Sequence, residues 1–422
     1  MGNRLLVARD EISGRVARYD YDEFDNLISA EYERGGEVER LYRVPDRMGN
    51  LFESCEKDDR KYDASGRLAE DREHFYHYDC EGNLVFKEFK EMALRGGIIA
   101  PINKERLETE LGIRFRAYGT GWRYDWQSDG MLARVVRPDG KEVSFAYDAL
   151  GRRIRKSFAG TTTQFVWDGN VPLHEWTEES EMVTWLFEQD TFVPAAKLVA
   201  NGECFFIVSD YLGTPLQAYD KRGNKVWEQE LDIYGRQRKR PSAFIPFKYQ
   251  GQYEDAETGL YYNRFRYYDP RIGNYISQDP IRLAGGNPTL YGYVGDCNEE
   301  VDILGLMPSW MPTKRGYQRH HIIPQSLKNH PILEASGINI DGAGNMKYLP
   351  VAEGIDSNPN KAIHNGWNDV HKEYNATMKG RLDNLYGQAL KEKWDTRRMQ
   401  QELTELQRKT RAELNSGKIK CH

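Results

Sequence analysis

Five of the nine histidines in this 422-residue chain fall between Tyr317 and Tyr374, and with one asparagine they form the set of side chains best suited to chemistry. His320 and His321 stand together in HHIIP, Asn345 in NMKYLP, and His364 and His371 in IHNGWNDVHKEY. A neutral imidazole can bind a divalent metal, and an imidazole near its ordinary pKa can take a proton from water. Adjacent side chains on an extended strand point to opposite faces, so His320 and His321 cannot easily share one task. One can bind metal while the other acts as base.

Positioning these groups needs a strand for the histidine pair, a connecting hairpin carrying Asn345, and a helix after His364. The helix is predicted by apolar and aromatic residues at Trp367, Val370, Tyr374, Met378, Leu382 and Tyr386. On one continuous helix, His371 would share a face with His364 but lie about 10 Å further along the axis. It is therefore either a ligand at the limit of reach or a surface or interface histidine. Asn368, four residues after His364, offers an amide oxygen as the alternative. His330 and His422 read as solvent-exposed.

The order His-His, Asn, His resembles the ββα-metal nucleases of the HNH and endonuclease VII-like type. The match is to the branch whose toxin domains carry an AHH string, a later N-x-x-x-L-P and a helix-starting L-H-x-G. Here those motifs read His320-His321, then Asn345 with Leu349-Pro350, then Ile363-His364-Asn365-Gly366, with Arg319 where the family often has alanine. The resemblance covers residues 315–390. It implies that His320 and His364 hold a divalent ion (magnesium, manganese, zinc or nickel), with His371 a tentative third ligand. It further implies that His321 activates water and that Asn345 holds the loop and the base in place.

Charge is divided along the chain. Residues 307–422 carry 18 Lys and Arg against 12 Asp and Glu, net +6, whereas the remainder carries 41 against 53, net −12. A basic module beside an acidic body fits nucleic-acid binding. Residues 376–415 read as one or two amphipathic helices, on which Lys391, Lys393, Arg397 and Arg398 are candidates for a phosphate-facing surface. No apolar run is long enough to span a membrane, and the first residues lack an apolar core of signal-peptide length. Five scattered cysteines without CxxC spacing argue against a disulfide scaffold or a zinc ribbon.

From the first residues to about 245 a short pattern recurs: Tyr-Asp, two or three residues, Gly, a polar residue, then an apolar one. YDASGRL (62–68), YDCEGNL (78–84) and YDALGRRI (147–154) are close copies, while YDEFDNL (21–27), YDWQSDGML (124–132) and YDKRGNKV (219–226) are looser. Strand, turn, strand is the natural reading, repeated into a stacked sheet. Residues 86–122 break the pattern and read as partly helical.

These copies resemble the YD repeats of Rhs proteins and teneurin-like shells, and the match tightens over 210–236 and 251–293. The fold class implied is mainly β, a YD-repeat/Rhs shell fragment, followed by a small α+β ββα-metal nuclease domain with C-terminal helices. The expected domains are 1–245, the YD-repeat segment; 246–306, a core-associated segment; and 307–422, the nuclease. Shells of that family are several times longer, so the expectation is a displaced module or a fragment of a larger effector. The family also places a self-cleavage site, D-P-x-G-L, at the end of the core. Asp302-Ile303-Leu304-Gly305-Leu306 occupies it here, with Ile303 replacing the proline and Leu306–Met307 as the scissile bond. Asp279 would pair with Asp302 as an aspartic-protease-like dyad, two close carboxylates of which one keeps its proton. The alternative is that both acids cap turns.

The resulting expectation is an Rhs-type toxin whose last domain hydrolyses phosphodiesters with the help of a metal, with DNA favoured over RNA. It implies a cognate immunity protein, the remainder of a shell, and a specialised secretion machine that carries the toxin from the bacterial cytoplasm into a target cell. The competing expectation is a YD-repeat adhesion or structural protein with a non-catalytic binding tail.

Overall fold

The Tyr-Asp copies become one repeated turn, and the turn explains the sheet. In YDALGRRI the Asp148 amide donates to the Arg152 carbonyl (2.9 Å) and the Gly151 amide returns to the Asp148 carbonyl (2.9 Å). The Asp148 carboxylate accepts from the amides of Leu150 and Arg152, both at 2.9 Å. Gly151 adopts a φ of +72°, a left-handed conformation that costs glycine little. Asp63, Asp79 and Asp220 build the same turn. The pairing register of the 142–147 strand shifts between Ala146 and Tyr147, beside the turn, as expected of a bulged hairpin.

The described residues are 5–10, 14–22, 26–91, 103–189, 191–238, 244–281, 289–306, 317–338, 340, 345–356, 358–364 and 369–421 of a computed structural model. They form two compact units divided between 307 and 308. In the first, hairpin follows hairpin to give a fifteen-stranded sheet from Lys61–Tyr62 to Lys225–Glu228, each strand pairing with its sequence neighbours. A four-stranded sheet precedes it (Val7 to Tyr42) and another follows (Tyr253 to Tyr275). Tyr262 and Tyr267 of the last sheet pack into the core beside Tyr76, Tyr124, Val135 and Phe145. The mainly β fold class is as expected.

Two details differ from the sequence reading. In YDWQSDGML the turn starts at Gln127, whose amide bonds the Met131 carbonyl (2.8 Å), because the extra residues before Gly130 leave Tyr124 and Asp125 inside the strand. The interruption at 86–122 is narrower than the pattern suggests, since Leu84–Phe89 and Gly121–Trp126 are paired strands of the same sheet. Between them runs a helix, Lys104–Leu111, while 92–102 lie outside the described residues. The returning loop is anchored by the buried Glu88 carboxylate, which accepts from the amides of Arg116, Ala117 and Gly119, each at 2.8 Å.

The second unit has a two-stranded hairpin, Tyr317–His321 with Met346–Pro350, a short helix at Pro331–Ser336, and long helices at Asp369–Glu392 and Thr396–Ser416. Ile322, Ile323, Leu349, Tyr374, Met378, Leu382, Leu403 and Leu414 close its core. No described helix is long and apolar enough to cross a membrane.

Candidate metal and cleavage sites

His320 is paired with Lys347 across the hairpin and is buried, while the next residue, His321, is half-buried and faces the other way by strand alternation. His364 reaches the same place by another route. Its amide donates to the Pro350 carbonyl at 2.8 Å, which holds it beside the end of the second strand and ahead of the long helix that begins at Asp369. His371 lies in the first turn of that helix. The rings of His364 and His371 are 5.2 Å apart and those of His320 and His364 are 5.0 Å apart, between centroids.

The expectation of a ~10 Å axial offset between His364 and His371 is thus corrected: His364 lies outside the helix that begins at Asp369, and the two rings are neighbours. His371 is buried and is not a surface histidine. Asn365, Gly366 and Asn368 lie outside the described residues, as does His422. His330 is also corrected, from exposed to buried, because it works as a helix cap. Its Nδ1 accepts from the Ile332 amide (3.4 Å) and its Nε2 contacts Asp383 at 3.0 Å.

The sequence reading missed one member of this cluster. Cys421 is fully buried, and its Sγ lies 3.3 Å from His320 Nδ1 and 3.7 Å from His371 Nδ1. One ligand atom each from His320, His364 and Cys421 all lie within 4.8 Å of one another. No short-range spacing advertises Cys421, since it stands 101 residues beyond His320 and arrives by the turn after the last helix. There Gly417 (φ +68°) passes so close to the Asn360 carbonyl that a Cβ would sit 2.3 Å from it.

The electrostatics suit a cation. Burial, helped by the neighbouring imidazoles of His364 and His371, pushes His320 down to about 2, so its ring is neutral and its lone pair available. Burial pushes the Cys421 thiol up to about 12, a shift that a bound cation reverses. Gln318 Oε1 sits 2.6 Å from His364 Nδ1, a contact that orients the ring. The donor set therefore fits a divalent metal.

Asn345 is a brace. Its Oδ1 accepts from the Ile323 amide (2.7 Å) and its Nδ2 donates to the carbonyls of Ile323 (2.9 Å) and Ile340 (2.7 Å). Removing these bonds by Asn345→Ala leaves several buried groups unpaired and is expected to destabilise the second unit by about 3 kcal/mol. A lowered melting temperature and faster exchange of the Ile323 amide check this.

In the first unit, Asp279 and Asp302 converge on one guanidinium. Arg266 Nη2 lies 3.2 Å from Asp279 Oδ2 and 3.1 Å from Asp302 Oδ2, with all three side chains buried. Asp302 also accepts from the Tyr275 hydroxyl (2.7 Å) and from the Leu306 amide (3.0 Å). Arg266 Nε donates to the Gly305 carbonyl. Burial raises the Asp302 pKa, with the Arg266 charge opposing it. Arg266 was not singled out from the sequence, and Met307 lies outside the described residues. Of the basic residues expected to face phosphate, Arg398 bonds Glu402 at 3.0 Å on an exposed helix surface.

A family model described as Teneurin YD-shell matches residues 114–284, and one described as a nuclease family of the HNH/ENDO VII superfamily with conserved AHH matches residues 307–410. Probable deoxyribonuclease RhsB of Dickeya dadantii is 30% identical over 253 residues, which are 57% of this chain and 16% of that protein. Toxin protein Tse5 of Pseudomonas aeruginosa is 32% identical over 337 residues, 68% of this chain and 25% of that one. Putative uncharacterized protein YlbH of Escherichia coli is 31% identical over 185 residues, 42% of this chain and 76% of that one. The chain thus spans a quarter or less of the length of RhsB and of Tse5. With its repeated Tyr-Asp turns and its histidine-bearing hairpin, the chain belongs to the Rhs/YD-repeat family and carries an AHH-type nuclease domain of the HNH/endonuclease VII superfamily.

Proposed function

We propose that residues 307–422 form a metal-dependent endonuclease, with DNA as the preferred substrate, delivered as a toxin into a competitor cell. The observation that carries this reading is the convergence of His320, His364 and His371 from a strand, a loop and a helix into one cluster, with His320 and His371 buried and His364 half-buried. His320 and His364 hold the ion, with His371 beside them. A divalent ion bound there supplies Lewis-acid stabilisation of charge on the phosphate and on the leaving oxygen. His321, on the more open face of the strand, takes the proton from the attacking water. Asn345 fixes the turn after His321 through the Ile323 peptide, so it positions the base and does not touch substrate. The net charge of +6 on 307–422 favours a polyanionic substrate and an immunity protein that presents acidic groups.

The test is cleavage of plasmid DNA and of RNA by the full chain, with EDTA and with metal added back. Loss of cutting in EDTA, recovery with metal and faster cutting of DNA are expected. Metal-independent or absent cutting would overturn the nuclease assignment in favour of a binding tail on a YD-repeat surface protein.

We also propose that Asp279 and Asp302 cut the Leu306–Met307 bond. Asp302, buried beside Tyr275, keeps its proton and donates it, while Asp279 takes one from water. The water oxygen becomes part of the Leu306 carboxyl group and Met307 gains a free amine. Because burial raises the Asp302 pKa above its ordinary 3.8, the acid form persists to higher pH than in an unperturbed aspartate. The rate of appearance of the Met307 product is therefore expected to fall as pH rises through a window above 3.8, read by mass spectrometry of time points. A rate that falls only around 3.8 would remove Asp302 as the acid.

A further inference from the structure

The three histidines account for the proposed ion, yet the sulfur of Cys421 sits among them. We propose that Cys421 is itself a ligand, as thiolate, so that the site takes a thiophilic cation of the zinc and cobalt class in preference to magnesium. This rests on the reading of the histidine cluster as a metal site, and it adds the chemical class of the ion.

Distance supports it first. Ligands at 2.0–2.3 Å around a tetrahedral ion are separated by about 3.3–3.8 Å. Sγ lies 3.3 Å from His320 Nδ1 and 3.7 Å from His371 Nδ1, on that edge length before any ion is placed. Donor type supports it next. The group formed by His320, His364 and Cys421 offers two nitrogens and a sulfur and no carboxylate, whereas magnesium takes oxygen ligands in near-octahedral geometry. Position supports it too, because His320 and Cys421 are both buried and the Gly417 turn is pressed against the Asn360 backbone, so the sulfur is held in place. Binding exchanges the sulfur–hydrogen bond for a sulfur–metal bond and passes one proton to solvent, with no change of oxidation state. The competing account of the same distances is a thiol hydrogen-bonded to the His320 ring.

The experiment is a cobalt(II) titration of the full chain followed by absorption. Visible d–d bands of a tetrahedral ion are expected, together with a near-ultraviolet sulfur-to-cobalt charge-transfer band. That band should persist when Cys55, Cys80 and Cys204 are replaced by serine and vanish in Cys421→Ser, whose cobalt affinity falls roughly 10- to 100-fold. The wild-type spectrum needs no variant, so the test stands even if Cys421→Ser fails to fold. Visible bands that depend on His320 and His364 but come without a charge-transfer band overturn the role of Cys421 and leave the histidine site intact. The absence of any cobalt spectrum overturns both.

Discussion

Replacing His321 by alanine is expected to lower phosphodiester cleavage by about 10²- to 10⁴-fold, the usual contribution of a general base, while metal binding by the same variant stays near that of the wild type. The separation follows from the strand. His320 turns inward to the buried cluster, and His321, one residue on, stands half-buried on the opposite face. His320→Ala should instead lose cleavage and metal affinity together. Measuring cleavage rate and bound metal for both variants separates the two roles. A His321→Ala chain that cuts at the wild-type rate would remove His321 as the base, and one that loses its metal would make it a ligand.

The second large effect is all-or-none. Asp302→Asn is expected to abolish the product that begins at Met307, and Asp279→Asn to do the same, with the chain recovered at its full mass of 49.0 kDa. Neither substitution changes side-chain volume appreciably, and each leaves a polar group for Arg266 Nη2, so loss of the product reports on acid–base chemistry. Arg266→Lys is the informative companion. A lysine has no planar fork with which to serve both carboxylates and the Gly305 carbonyl at once. An uncut wild-type chain would show that Ile303, in place of the proline usual in the family, disables the site. Persistent cutting in Asp302→Asn would assign the two acids to turn capping.

Parts of this molecule were readable from the sequence because the interactions that build them are local. An aspartate, a glycine three residues on and the amides between them make a turn by themselves, so YDASGRL and YDALGRRI announced their hairpins. The exception, YDWQSDGML, failed for a reason of the same kind, since two more residues before Gly130 moved the turn to Gln127. His320, Asn345 and His364 could be singled out because motif order does not depend on folding, and the structure brings the rings of His320 and His364 together. His371 was misplaced because periodicity assumed an unbroken helix, while the helix starts at Asp369 and His364 is tied to the hairpin by the Pro350 carbonyl. His330 was misjudged because a capping imidazole looks like any polar residue in a loop. Cys421 and Arg266 carried no local signal at all. Each meets its partners only through packing between segments far apart in sequence, 101 residues for Cys421 with His320 and 36 for Arg266 with Asp302.

The fifteen-stranded sheet pairs every strand with the one made just before or just after it. A ribosome therefore delivers each new strand next to an edge that is already waiting, and the sheet can grow in the direction of translation without searching for distant partners. Damage should stay correspondingly local: a proline placed in one hairpin loosens its immediate neighbours, while strands laid down several hairpins earlier keep their register.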